Sequence, residues 1–194
     1  MKSQGFDFTE AMRCLCEDIT CRLPELVHID LTQVAISLSK TRKNVSHGIY
    51  ASLTPLRFEA GAKTTQRRGR RYGVQPVVDA VGREYLYILS FYLPRFMNTS
   101  LEEKLSTVVH ELWHISPAFD GDLRRHAGRC YAHGSSQRAY DAKMDRLAQE
   151  WLALDPPSQL YDFLMGDCNE LIAEHGHITG THWRNPQLVP LDAA

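Results

Sequence analysis

The strongest constraint on this chain is a change of hydrophobic period near residue 95. Before it, Val34-Ala35-Ile36-Ser37-Leu38-Ser39 places an apolar side chain at every second position, as a strand with one buried face does. Ile49 to Leu53 alternates likewise and extends toward Phe58 despite Pro55, and Tyr85-Leu86-Tyr87-Ile88-Leu89 is an aromatic and β-branched run closed by Pro94. After it, Leu101, Leu105, Val108, Leu112 and Ile115 recur every three or four residues, as do Tyr140, Met144, Leu147 and Trp151. Those are the stripes of two helices. Strands followed by helices predict an α+β fold: a small sheet of three or four strands, packed on a helix from Ser100 to about Ser116 and on another from about Gly134 to Leu154.

The remaining elements follow from local signals. Phe8, Met12, Leu15 and Ile19 form the stripe of an N-terminal helix that Pro24 limits. Lys40 to Gly48 reads as a hairpin or longer connection, and 59–76, with Gly61, Gly69, Gly73 and Pro76, as a loop. A last helix is expected over about Ser158 to Glu174, and an irregular tail from Gly176. Ser100-Leu101-Glu102-Glu103 has the form of a capping box. A length of 194 residues with 43% hydrophobic side chains suits one domain over 1–194, with a helix and sheet in 1–95 and helices in 96–194.

Composition removes several classes of function. The formal net charge of −1 gives no global field for nucleic acid or membranes. No stretch approaches the roughly 20 apolar residues of a membrane span, and Met1 to Asp7 lacks the apolar run of a secretory signal. Five cysteines, an odd number at irregular positions, suggest free thiols and a cytoplasmic location.

Chemistry concentrates at His110-Glu111-Leu112-Trp113-His114, an HExxH motif on the helix that starts at Ser100. Residues i and i+4 share a helix face, so both imidazoles can reach one metal ion. Glu111 stands at the edge of that face, where it can accept a proton from a zinc-activated water. At about 100° per residue, His110 and His114 fall opposite the aliphatic stripe, so they point to a cleft rather than to the core. A catalytic zinc has three protein ligands and an open position. His133 is the favoured third ligand: it sits in Tyr131-Ala132-His133-Gly134, seven residues before Tyr140, where a packed helix can hold it. His126 and Asp120 are the alternatives, and Glu170, Glu174, His175 and His177 are further candidates. Asp120 has the offset of a long HExxHxxGxxH pattern, but Pro117 stands where that pattern has Gly.

These residues carry a resemblance. Val109-His110-Glu111-Leu112-Trp113-His114-Ile115-Ser116-Pro117, then Phe119-Asp120-Gly121-Asp122-Leu123-Arg124-Arg125, Gly128-Arg129 and His133-Gly134, resemble zincin-type metallopeptidases of phages and prokaryotes. The order of HExxH and a later His-Gly opening a helix is similar to SprT-like zinc proteases. The resemblance covers about 28–151, with its anchors in 109–134. It implies a zincin-like fold, one Zn2+ per chain held by His110, His114 and His133, hydrolysis of peptide bonds in a peptide or protein substrate, and an edge strand that takes up extended peptide. The zinc ribbon of SprT-like proteins is not matched, since Cys168 stands alone after Cys130.

Other residues admit a functional and a plain reading. Tyr131 and Arg125 are candidates to stabilise a transition state; Arg124, Arg125 and Arg129 could instead pair with Asp120 and Asp122. Tyr140 could also donate there, although its stripe argues for core packing. Lys63, Arg67, Arg68, Arg70 and Arg71 place five cations in nine positions, with no acid between Glu59 and Asp79. The functional reading is contact with nucleic-acid phosphates, with Tyr72 available to stack; the plain reading is a solvated loop. The competing function is therefore a nucleic-acid-associated binding protein with a structural metal site. His175-Gly176-His177 could bind a second metal or simply close the last helix.

Overall fold

The computed structural model describes residues 5–41, 48–125 and 137–191. In chain order these form β1 (Phe6–Asp7), α1 (Phe8–Arg22), β2 (Val34–Lys40), β3 (Ala51–Pro55), β4 (Thr64–Arg67), β5 (Arg70–Val74), β6 (Tyr87–Leu93), α2 (Leu101–Trp113), α3 (Gln137–Ala153), α4 (Cys168–His175), β7 (Ile178–Thr179) and β8 (Leu188–Pro190). The organisation is the α+β mixture that the two periods predict.

The central sheet has the order β2-β6-β3. β2 runs parallel to β6 and β3 antiparallel to it, with Ile36, Leu89 and Leu53 in one row and Leu38, Phe91 and Ala51 in the next. Because side chains alternate across a strand, these rows all point to one face. There they meet α1 through Phe8, Met12, Leu15 and Ile19, and α2 through Leu105, Val108, Val109 and Leu112, in one continuous core. The opposite face is smaller. Ala35, Ile88 and Leu56 are covered there by Val74, Val77, Tyr85 and Trp183.

Two helix starts explain their own positions. The Asp7 carboxylate accepts from the Glu10 N–H at 3.1 Å and starts α1, while Ser100 Oγ accepts from the Glu103 N–H at 3.2 Å and starts α2. Each satisfies an orphan donor of the first turn. α3 is tied to α1 by the Trp151 indole N–H, which donates to Asp18 at 2.9 Å. It is tied to α2 by Ser106 Oγ, which donates to Asp145 at 2.6 Å.

Several sequence expectations need correction. Of the two readings of Lys40 to Gly48 the longer connection holds, because β6 lies between β2 and β3; its residues 42–47 lie outside the described residues. The third strand is Tyr87–Leu93 rather than Tyr85–Leu89. The expected loop at 59–76 contains the β4–β5 hairpin, which β8 extends into a three-stranded sheet. The expected last helix is two 3₁₀ turns, Ser158–Leu160 and Asp162–Leu164, followed by a short α4 that a capping box of Asp167 and Glu170 opens. The tail is also structured over its described residues, 176–191. Thr181 accepts the Leu38 N–H at 2.8 Å, which covers part of the outer edge of β2. Trp183 then packs edge-on against Tyr85. Among the described residues no helix is long and apolar enough to cross a membrane.

Lys104 is buried in the first turns of α2, and its ammonium donates to the carbonyls of Leu164 at 2.8 Å and Gly166 at 2.7 Å. Burial lowers its pKa, opposed by the charges of Asp167 and Glu170. Lys104→Met keeps the volume but orphans two carbonyls, so it should destabilise the fold by about 1–3 kcal/mol. Thermal denaturation beside Lys40→Met, an exposed change, checks this; equal melting temperatures would refute the buried role.

Candidate metal centre

α2 ends with His114 as its C-cap, still in helical conformation at φ −67° and ψ −16°. The i, i+4 relation to His110 therefore survives to the end of the helix. The two Nε2 atoms converge to 3.0 Å. Two nitrogens bound to one tetrahedral zinc at 2.0–2.1 Å stand roughly 3.3–3.4 Å apart. The pair is thus aimed at one point at close to the spacing a shared metal needs, and the donor set suits zinc. Both rings are half-buried, whereas Leu105, Val108, Val109 and Leu112 are fully buried on the far side.

Glu111 lies beside the pair and is 9% exposed. Burial pushes its carboxyl up to about 7, against the Leu53 backbone N–H, which donates to it. The source of that N–H follows from the register. The Tyr50 carbonyl accepts from the Tyr92 N–H and the Leu56 N–H donates to the Leu86 carbonyl, so the even residues of this stretch face β6. The odd residues, Leu53 among them, face the open edge. The edge strand beside the motif is β3; β6, which leads into α2, is central.

Tyr140 closes the other side. Its ring packs on His110 at 5.0 Å and lies stacked at 25° on His114 at 5.9 Å. Burial, with the nearby Glu111 charge second, raises its phenol pKa. The stripe that argued for core packing is real, since Met144, Leu147 and Trp151 are buried, but its first member faces the histidines. A groove of about 740 Å³ opens beside His110 and Glu111, between Tyr50, Ser106, Asp141 and Met144.

The segment after His114 is held tightly. The Arg124 N–H donates to the His114 carbonyl at 2.7 Å, and its Nε to the Trp113 carbonyl at 2.7 Å. Arg124 and Lys143 both lie over the Trp113 ring, at 4.0 and 3.7 Å. Gly121 has φ +87°, and a Cβ there would meet Arg57 Cγ at 2.5 Å, so glycine is required. Its N–H donates to the Tyr87 hydroxyl at 2.9 Å, which in turn donates to the Asp122 carbonyl at 2.8 Å.

Not every sequence candidate gathers at the pair. Among the described residues no third His, Cys, Asp or Glu completes a metal-binding group. Asp120 accepts the Asp122 N–H at 3.1 Å. His175 packs on Phe6 at 5.0 Å, and the His177 ring lies beneath Gly5. Glu170 closes the cap of α4. Arg125 is placed in the ion pair, donating to both oxygens of Asp122 at 2.9 and 3.1 Å. His126, Arg129, Tyr131 and His133 lie outside the described residues. Tyr140, Trp113 and Asp122 are the residues that sequence reasoning undervalued. Tyr140 gave a signal as a possible donor and Asp122 as a possible ion-pair partner of the arginines; Trp113 gave none.

Burial works to raise the Asp122 pKa, but the Arg125 guanidinium and the Leu123 and Ala60 N–H groups outweigh it and hold the carboxyl below its ordinary range. The folded value is below the unfolded one, about 3.9. The stabilisation is therefore full above that value and lost as pH falls through the folded value. Asp122→Asn should destabilise the protein by about 1.5–3 kcal/mol at pH 7. The gap to wild type should shrink below about pH 4. Urea denaturation across this range tests it, and a gap independent of pH would contradict the assignment.

Comparison with known proteins finds no match: no family model, no curated protein and no solved structure matches the chain.

Proposed function

We propose that this chain is a cytoplasmic, zinc-dependent metallopeptidase of zincin-like fold. The observation that carries the reading is the convergence of His110 and His114 Nε2 to 3.0 Å beside a buried Glu111. His110, His114 and His133 would hold the metal. Zinc, when bound, supplies Lewis-acid polarisation of a scissile carbonyl and lowers the pKa of water toward about 7.

The chain's own residues supply the rest. Glu111 takes a proton from the attacking water and returns it to the leaving amine nitrogen as the C–N bond breaks. The Leu53 N–H orients that carboxylate from the strand edge. The outer edge of β3 can take an extended peptide by strand addition, which would lay the scissile bond along the groove beside Glu111. Tyr140, packed on both imidazoles, limits their rotation and can donate to a developing oxyanion. A second reading, a nucleic-acid-associated binding protein with a structural metal, is favoured by the cationic hairpin; it predicts no role for Glu111.

Three measurements test the centre, and the second of them decides between these readings. Protein purified without added metal should carry about one zinc per chain. Glu111→Gln should retain zinc and its circular dichroism while cleavage of labelled casein falls about 10²–10⁴-fold. Wild-type turnover in that variant would overturn the peptidase reading. In chelator competition, His133→Ala should lower zinc affinity by orders of magnitude, and His126→Ala by no more than about 10–100-fold. The reverse order would make His126 the third ligand.

A further inference from the structure

The β4–β5 hairpin carries three features that act against its own stability. Arg67 and Arg70 are directly opposed across the strands, and like charges in that position repel. The turn between them is Arg68 at φ +48° and Gly69 at φ +76°. Two successive positive φ values make a turn that Asn, Asp or Gly suits. An arginine is uncommon there, because its Cβ crowds the backbone. Finally, Lys63, Arg67, Arg68 and Arg70 are exposed, and none forms an ion pair with a described carboxylate.

The placement is as distinctive as the charge. Among the described residues β8 pairs with β5 at Tyr72 to Val74, and the Leu191 N–H donates to the Arg71 carbonyl at 2.9 Å, so Arg67 to Arg70 lie beyond the described part of the third strand. A Cβ on Gly69 would have nothing within 4 Å. Without the five cations of 63–71 the formal charge would be −6 rather than −1. The ribbon thus concentrates positive charge on a chain that is otherwise acidic in net charge, which favours the approach of a polyanion there.

We propose that this ribbon is a finger that binds the phosphates of duplex DNA from within the major groove. A polyanion relieves the Arg67–Arg70 repulsion and explains an arginine at the turn. The shape selects the groove. A two-stranded ribbon fits the B-form major groove, roughly 12 Å wide and 8.5 Å deep, and four residues of strand span roughly 13 Å. The deep, narrow major groove of A-form RNA does not admit side chains in the same way. The inference is independent of the peptidase reading.

The test uses the full chain, a fluorescein-labelled duplex DNA of about 20 base pairs, and anisotropy over a salt series. Wild type should bind, with log K falling linearly in log salt. The triple variant Arg67→Ala, Arg68→Ala, Arg70→Ala should lose at least tenfold in affinity at low salt and about 2.7 from the magnitude of the salt slope, at about 0.9 per phosphate contact. Arg68→Asn separates contact from folding: asparagine tolerates positive φ, so its melting temperature should hold or rise while the slope magnitude falls by about 0.9. An RNA duplex of the same length should bind at least tenfold more weakly. Any one of three results overturns the proposal: no DNA binding at low salt, a triple variant with wild-type affinity and slope, or equal affinity for the RNA duplex.

Discussion

The rotation of α2 about its own axis is the constraint on which the candidate centre depends. Leu105, Val108, Val109 and Leu112 are fully buried in the core shared with β2, β6 and β3. Each residue step is about 100°, so a slip of one position would drive an imidazole or a carboxylate into that core and expose a leucine. Burying such an aliphatic side chain is worth roughly 1.5–3 kcal/mol, and an unpartnered charge in its place costs more. The apolar face thereby fixes where the polar face points. The ends prevent sliding: Ser100 and Lys104 hold the first turns, and Arg124 holds the carbonyls of Trp113 and His114.

A second network joins the sheet centre to the end of that helix. The Tyr87 hydroxyl, on central β6, bonds both Gly121 and Asp122. Asp122 in turn accepts from the Ala60 N–H at 3.0 Å, and the Gly121 carbonyl from the Arg57 N–H at 3.0 Å. Residues 57–60 lead into β4. The segment that follows His114 and the base of the cationic ribbon therefore share hydrogen bonds to one buried carboxylate and one glycine. Loss of that carboxylate would loosen both at once, because unpaired buried polar groups seldom stay in place.

What the sequence made legible was whatever depends on local period. The alternation at 34–39 gave the face of β2, and the stripe from Leu105 to Ile115 gave the side of α2 on which the histidines lie. What it hid was pairing between distant segments. Thr64-Thr65-Gln66-Arg67 looks like loop because charge and glycine dominate it; it becomes a strand only by pairing with β5, itself backed by β8 far along the chain. The tail carries no period because it takes its structure from the edge of β2 and from Tyr85. α4 was visible in principle, through Asp167 and Glu170 at capping-box spacing. A single helix expected across 158–174 hid the breaks at Tyr161 and before the Asp167 cap. Tyr140 was legible in part: it is buried in the main core, as its stripe implies, and it also packs on His110 and His114. A stripe says that a side chain packs inward, and not whether it meets leucines or imidazoles.

Shifted titration by itself does not mark a site in this molecule; placement does. Cys16 is pushed up to about 12 by burial, yet it sits on the apolar stripe of α1 among side chains of the main core and makes an inert thiol. Glu111 is also shifted mainly by burial, but its neighbours are two converging imidazoles, a strand edge and a groove. A core thiol is neutral at pH 7, so burying it costs little. A core carboxylate must either stay protonated or find donors, and among fully buried positions an apolar residue would serve stability better. Arg68 at positive φ and the Arg67–Arg70 pair are departures of the same kind on the surface. Departures from the locally best residue concentrate where a chain does something besides fold. Two of them stand at the end of α2 and at the tip of the ribbon, and the Asp122 network holds both the segment that follows His114 and the base of that ribbon.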